Sequence, residues 1–71
     1  MQYRDDDDLW NGDCFVVKHR VNAMLVNHDN EEHWIPYSQI HDDSELYEST
    51  PINEDGNLVI PYWLAKKAGW V

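Results

Sequence analysis

The pattern of apolar and polar positions predicts a sheet first. Phe15-Val16-Val17-Lys18-His19 is rich in branched and aromatic side chains, the composition of a strand. Val21 to His28 forms a second. By the period-two rule Ala23, Leu25 and Asn27 share one face of it, and Asn22, Met24 and Val26 the other. Apolar residues on both faces place this strand centrally or in a curved sheet. Asp29-Asn30 supplies a tight hairpin turn. Glu31 to Ile35 returns as a third strand, and Pro36 ends its pairing or sets it at an edge. Pro36 to Ile40 is expected as a turn or one turn of tight helix, with Ile40 buried. His41 to Ser44 is loop. Glu45 to Glu48 is expected as a short strand, and Thr50 to Gly56 as a polar loop rich in breakers. Asn57 to Ile60 is the last strand.

The C-terminal stretch predicts a helix. Pro61 suits a first helical position, where its missing N–H costs nothing. Tyr62 to Ala68 gives about two turns. Lys66 and Lys67 then sit where positive charge complements the helix dipole, and Gly69 marks a left-handed stop. Trp63, Leu64 and Ala68 are expected to face the sheet. Before the first strand, residues 1–12 are expected as an acidic arm: Asp5-Asp6-Asp7-Asp8 repels itself, and Asn11-Gly12 is a turn signal. The division is thus an arm over 1–12 and one globular domain over 13–71. The fold class is α+β, mostly β. It is a small curved antiparallel sheet of four or five strands, an SH3- or OB-like half-barrel, with one short C-terminal helix.

Composition narrows the function. The chain has 71 residues, room for one domain with a thin stability margin. Four Trp, four Tyr and one Phe are too much core material for a disordered segment. A single cysteine excludes an internal disulfide and suits a reducing compartment. No signal peptide and no membrane-length apolar run is read, so a cytoplasmic protein is expected. Fourteen acidic residues against five basic ones give a net charge of -9. Such a charge repels nucleic-acid backbones and anionic membranes and favours a basic protein surface. Neither direct nucleic-acid binding nor membrane binding is therefore expected.

Catalytic and metal chemistry find little support. His19, His28, His33 and His41 lie among carboxylates, but their spacing matches no zinc motif, and they are read as solvated surface residues. Asp7, Asn11 and Gly12 fit part of a calcium loop, which Leu9 and Lys18 break. Cys14 at a strand start is read as a small buried hydrophobe rather than a nucleophile. No metal, cofactor or catalytic residue is assigned, and no enzyme is expected. Trp34, Tyr62 and Trp63 are expected in the core or its rim, whereas Trp10 and Trp70 flank it as candidate contacts.

Two segments carry a resemblance. Ala23-Met24-Leu25-Val26 is followed by Glu32-His33-Trp34-Ile35-Pro36-Tyr37-Ser38-Gln39-Ile40, and then by Leu58-Val59-Ile60-Pro61-Tyr62-Trp63-Leu64-Ala65-Lys66-Lys67-Ala68-Gly69. They resemble small uncharacterised phage and prophage proteins, in which a WIPxSQI hairpin exit precedes a closing IPxWLAxxxG helix. The resemblance covers residues 21–71 and carries no assigned activity or functional residue. It implies a mobile-element protein acting inside a bacterial cell. The Asp5–Asp8 arm lies outside it.

Two function classes follow. In one, the chain is an acidic inhibitor that occupies the nucleic-acid-binding surface of a host enzyme or defence complex, its carboxylates standing in for DNA phosphates. The residues for this are Asp5, Asp6, Asp7, Asp8, Asp29, Glu31, Glu32, Asp42, Asp43, Glu45, Glu48, Glu54 and Asp55. In the other, it is a small adaptor of phage replication or recombination that binds protein through apolar Trp10, Trp34, Trp63 and Trp70. A homodimer is compatible with either.

Overall fold

The computed structural model describes residues 8–71. Four strands form one antiparallel sheet: β1 (Leu9–His19), β2 (Ala23–His28), β3 (Glu31–Pro36) and β4 (Asp55–Pro61). Their order across the sheet is β3-β2-β1-β4. A single 3-10 turn, Tyr37–Gln39, follows β3, and the helix α1 (Tyr62–Lys67) follows β4 directly. The sheet stays open, with β3 and β4 as its edges. The expected class, a small mostly β antiparallel sheet with one short C-terminal helix, is what the structure has, and the sheet is open and uncurled rather than drawn toward a half-barrel.

β1 begins earlier than expected. Leu9 to Phe15 pair in register with Pro61 to Asp55, so residues 9–12 belong to the sheet rather than to an arm. The period-two rule explains this start: Trp10, Gly12, Cys14 and Val16 point to the covered face, while Leu9, Asn11, Asp13 and Phe15 are exposed. Asn11-Gly12 is mid-strand, and its glycine serves close packing rather than a turn. Residues 1–7 of the expected arm, Asp5, Asp6 and Asp7 among them, lie outside the described residues, and Asp8 is half-buried with its carbonyl accepting from the Tyr62 amide at 2.9 Å.

A bulge at Val17 then shifts the register against β2. Val16 pairs with Val26, but Lys18 pairs with Leu25 and His19 with Met24. One extra residue moves every later side chain to the opposite face. His19 thereby joins the covered face instead of following Phe15 outward. The β2–β3 turn is as expected. Asp29 and Asn30 have φ of 53° and 67°, both left-handed, which matches the twist of a two-residue hairpin.

The core lies on one face of the sheet. Cys14, Val16, Met24, Val26, Ile35, Leu58 and Ile60 from the strands meet Leu46 and the helix residues Leu64 and Ala65. Within α1 the buried residues are Leu64 and Ala65, whereas Trp63 is 37% exposed, so the expected sheet-facing Trp63 is corrected. Ala68, just past the helix, is buried as expected. Pro61 is the helix N-cap and the last residue of β4. Gly69 has φ of 83° and ends the helix. The amide of Gly69 donates to the Lys66 carbonyl, and that of Trp70 to the Ala65 carbonyl, the bond pair of a Schellman stop.

Residues 40–54 run from the end of the 3-10 turn past β4 to the start of that strand. Glu45 to Glu48 are not a strand. The Glu45 amide donates to the Asn57 carbonyl at 2.7 Å, but Leu46 is then buried in the core and the ladder goes no further. Ile40 is half-buried against the core.

Candidate protein-contact surface

The carboxylates occupy the sheet edges and the loops beside them. Asp29 is in the β2–β3 turn, and Glu31 and Glu32 begin β3. Asp42, Asp43, Glu45 and Glu48 lie in the segment beside β4, Glu54 precedes that strand and Asp55 opens it. Every acidic residue from Asp13 onward is exposed. Asp13 was not among the candidates; it joins them on the open face of β1. The alternation of residues 9–16 carries the signal that would have found it. Asp55, Phe15, Asn27 and Glu32 form one cross-strand row, with a carboxylate at each end. Three strand spacings separate those ends, about 14 Å.

Few of these charges are neutralised. Among the described residues the charge contact is that between His41 Nδ1 and Asp43 at 3.6 Å, and both are solvent-accessible. Glu45 has a structural task, since its Oε1 accepts from the Asn57 amide at 2.7 Å. The Arg20 guanidinium lies 5.0 Å from the centre of the Trp34 ring, a cation–π placement. No sequence rule singles out this pair, because the two meet only across the folded sheet.

The tryptophans do not form one patch. Trp10 and Trp70 pack together with ring centres 5.1 Å apart, and His28 stands edge-on to Trp10 at 4.9 Å. The Trp70 indole donates to the Glu31 carbonyl at 3.0 Å. These two residues, expected as free contacts, are instead half-buried and pack against the core. Trp34 is on the opposite face, in register with Leu25. Trp63 is exposed on α1.

The histidines also have structural partners. His28 Nδ1 donates to the Asp13 carbonyl at 2.7 Å. His19 Nε2 donates to the Thr50 carbonyl at 2.6 Å, while Nδ1 lies 2.7 Å from the Tyr37 hydroxyl. That hydroxyl also reaches the Arg20 carbonyl at 2.9 Å. His19, His28 and His33 are half-buried, which corrects their reading as solvated. Among the described residues no three His, Cys, Asp or Glu side chains gather as a metal site. Cys14 is buried, and its thiol is pushed up to about 12 by desolvation first and by the Asp13 charge second. A thiol held neutral in this way is a packing group.

Two shallow adjoining depressions, of about 210 and 300 Å3, share Ile40, His41 and Asp42. Tyr47 and Glu48 rim one, Leu9 and Pro61 the other. No described helix is long and apolar enough to cross a membrane. Searches against protein-family models, curated proteins and solved structures find no match for the chain.

Proposed function

We propose that this chain is an acidic binding protein that covers the basic, nucleic-acid-binding surface of another protein, in the setting of a phage or mobile element within a bacterial cell. One observation carries the reading: its carboxylates from Asp13 onward are exposed, and among the described residues none of them pairs with Lys or Arg. A folded protein with unpaired negative charge along both sheet edges attracts positive surface and repels nucleic acid. The spacing supports the reading further. The Glu32 and Asp55 ends of one row are about 14 Å apart, close to the roughly 12 Å major groove between two phosphate strands.

The test is capture of partners by the tagged chain from nuclease-treated bacterial lysate, at about 50 and 500 mM salt, a range over which exposed charges become screened. The expected outcome is a nucleic-acid enzyme or defence complex held at low salt and released at high salt. Partners held equally at both salts overturn the reading.

A second reading, the adaptor of phage replication or recombination, is favoured by the uncovered sheet face. Phe15 is 39% exposed there, on the same face as half-buried Leu25 and Trp34. On that reading Phe15→Ser abolishes capture, while neutralising Asp42, Glu48, Glu54 and Asp55 leaves it intact.

A further inference from the structure

The two edges of the sheet are finished differently. On β4 the outward backbone groups of Asn57 and Val59 are all bonded. The Val59 carbonyl accepts from the His41 amide at 2.8 Å and from the Ser44 hydroxyl at 3.0 Å. The Val59 amide donates to the same hydroxyl oxygen at 2.8 Å. The Asn57 amide donates to Glu45 Oε1, and its carbonyl accepts from the Glu45 amide. That edge is sealed over Asn57 to Val59.

On β3 the outward groups are those of Glu32 and Trp34. A two-residue turn makes His28 and Glu31 a hydrogen-bonded pair. The parity then runs through His33 and Ile35 to Tyr37, whose amide donates to the Asn22 carbonyl at 3.0 Å. Glu32 and Trp34 therefore turn their amides and carbonyls away from β2, and among the described residues these four groups have no partner. Such an edge accepts an added strand.

Charge selects the strand. Asp29, Glu31 and Glu32 are exposed along this edge. A second copy would bring another net charge of -9 to it, and like charges at paired edges disfavour self-addition. The same carboxylates attract lysine and arginine. On the outer face Trp34 stands on the same side of β3 as Glu32 and already carries the Arg20 guanidinium 5.0 Å from its ring centre, so the basic side chains of an incoming strand belong at the Glu32 end.

We infer that the open β3 edge takes an extended basic segment of the partner protein as a fifth strand. This rests on the proposed acidic binding function and names its docking mode. The added strand bonds to the backbone of Glu32 and Trp34, and its basic side chains lie against Glu32 and its neighbours.

The probe is a synthetic peptide of alternating lysine and valine, titrated into the isotope-labelled protein at low salt and followed by amide NMR. A matched peptide carries N-methyl groups at alternate residues, which removes its donors and keeps its charge. The expected result is that the amides of Glu32 and Trp34 shift most and become protected from hydrogen exchange. The N-methylated peptide should bind about tenfold or more weakly. Glu32→Pro should weaken the parent peptide similarly, because the amide it removes faces the open edge. Equal binding of both peptides, or shifts confined to residues 42–48, overturns strand addition and leaves the acidic reading standing. Binding of neither peptide overturns both. A dimer in sedimentation that Glu32→Pro dissociates makes a second copy the occupant and overturns the basic segment.

Discussion

A methyl group at position 12 would sit 2.7 Å from two ring carbons of Trp10 and 3.1 Å from His28. Neither ring can yield freely, because His28 is bonded to Asp13 and Trp10 is packed on Trp70. Gly12→Ala is therefore expected to destabilise the fold by about 1–3 kcal/mol, as overpacked sites do; urea unfolding followed by tryptophan fluorescence measures it. Cys14 gives a second residue-level expectation. Its folded thiol is raised from 9.0 to about 12. The unfolded thiol ionises first as pH rises, so the stability linked to this group is complete below about 9 and is lost as pH climbs toward 12. At neutral pH the native thiol should resist alkylation and the urea-unfolded one should react. Reactivity of Cys14 was legible in sequence as that of a buried small side chain. The roles of Trp10 and Trp70 were not, because their contact depends on the Gly69 stop turning the chain back onto β1.

At the scale of elements, the strands and their turn could be read from alternation and composition, since Ala23–His28, Asp29-Asn30 and Glu31–Pro36 form one local hairpin. The misreadings fall where tertiary contacts decide. Glu45–Glu48 alternates like a strand, yet the edge of β4 is occupied by the Ser44 hydroxyl and by single backbone bonds, so no ladder extends there. Val17 gives no local sign of a bulge. Ser44→Ala tests the sealed edge. It removes the hydroxyl that serves both backbone groups of Val59, and a buried amide left unsatisfied costs about 1–3 kcal/mol. Hydrogen exchange at Val59 should accelerate by the corresponding factor, with β2 and β3 less affected; unchanged exchange at Val59 would remove Ser44 from this role.

At the scale of the whole molecule, the dominant property is a net charge of -9, with few charge partners among the described residues. Self-repulsion of that kind weakens the compact state, and salt relieves it. The midpoint of thermal unfolding should rise as sodium chloride increases from about 50 to 500 mM, and a fall would mean that ion pairs stabilise the fold. The acidic residues were legible as composition. Their arrangement was not, because it depends on which strands become edges: β4 is sealed over Asn57 to Val59 by a segment from the middle of the chain, and β3 stays open. Competition for a basic surface is read from displacement of labelled duplex DNA from a captured partner as this protein is added. Loss of the duplex in proportion to the protein bound is expected at low salt, weakened when Asp42, Glu48, Glu54 and Asp55 are made neutral. A partner that binds this protein and keeps its DNA would contradict it.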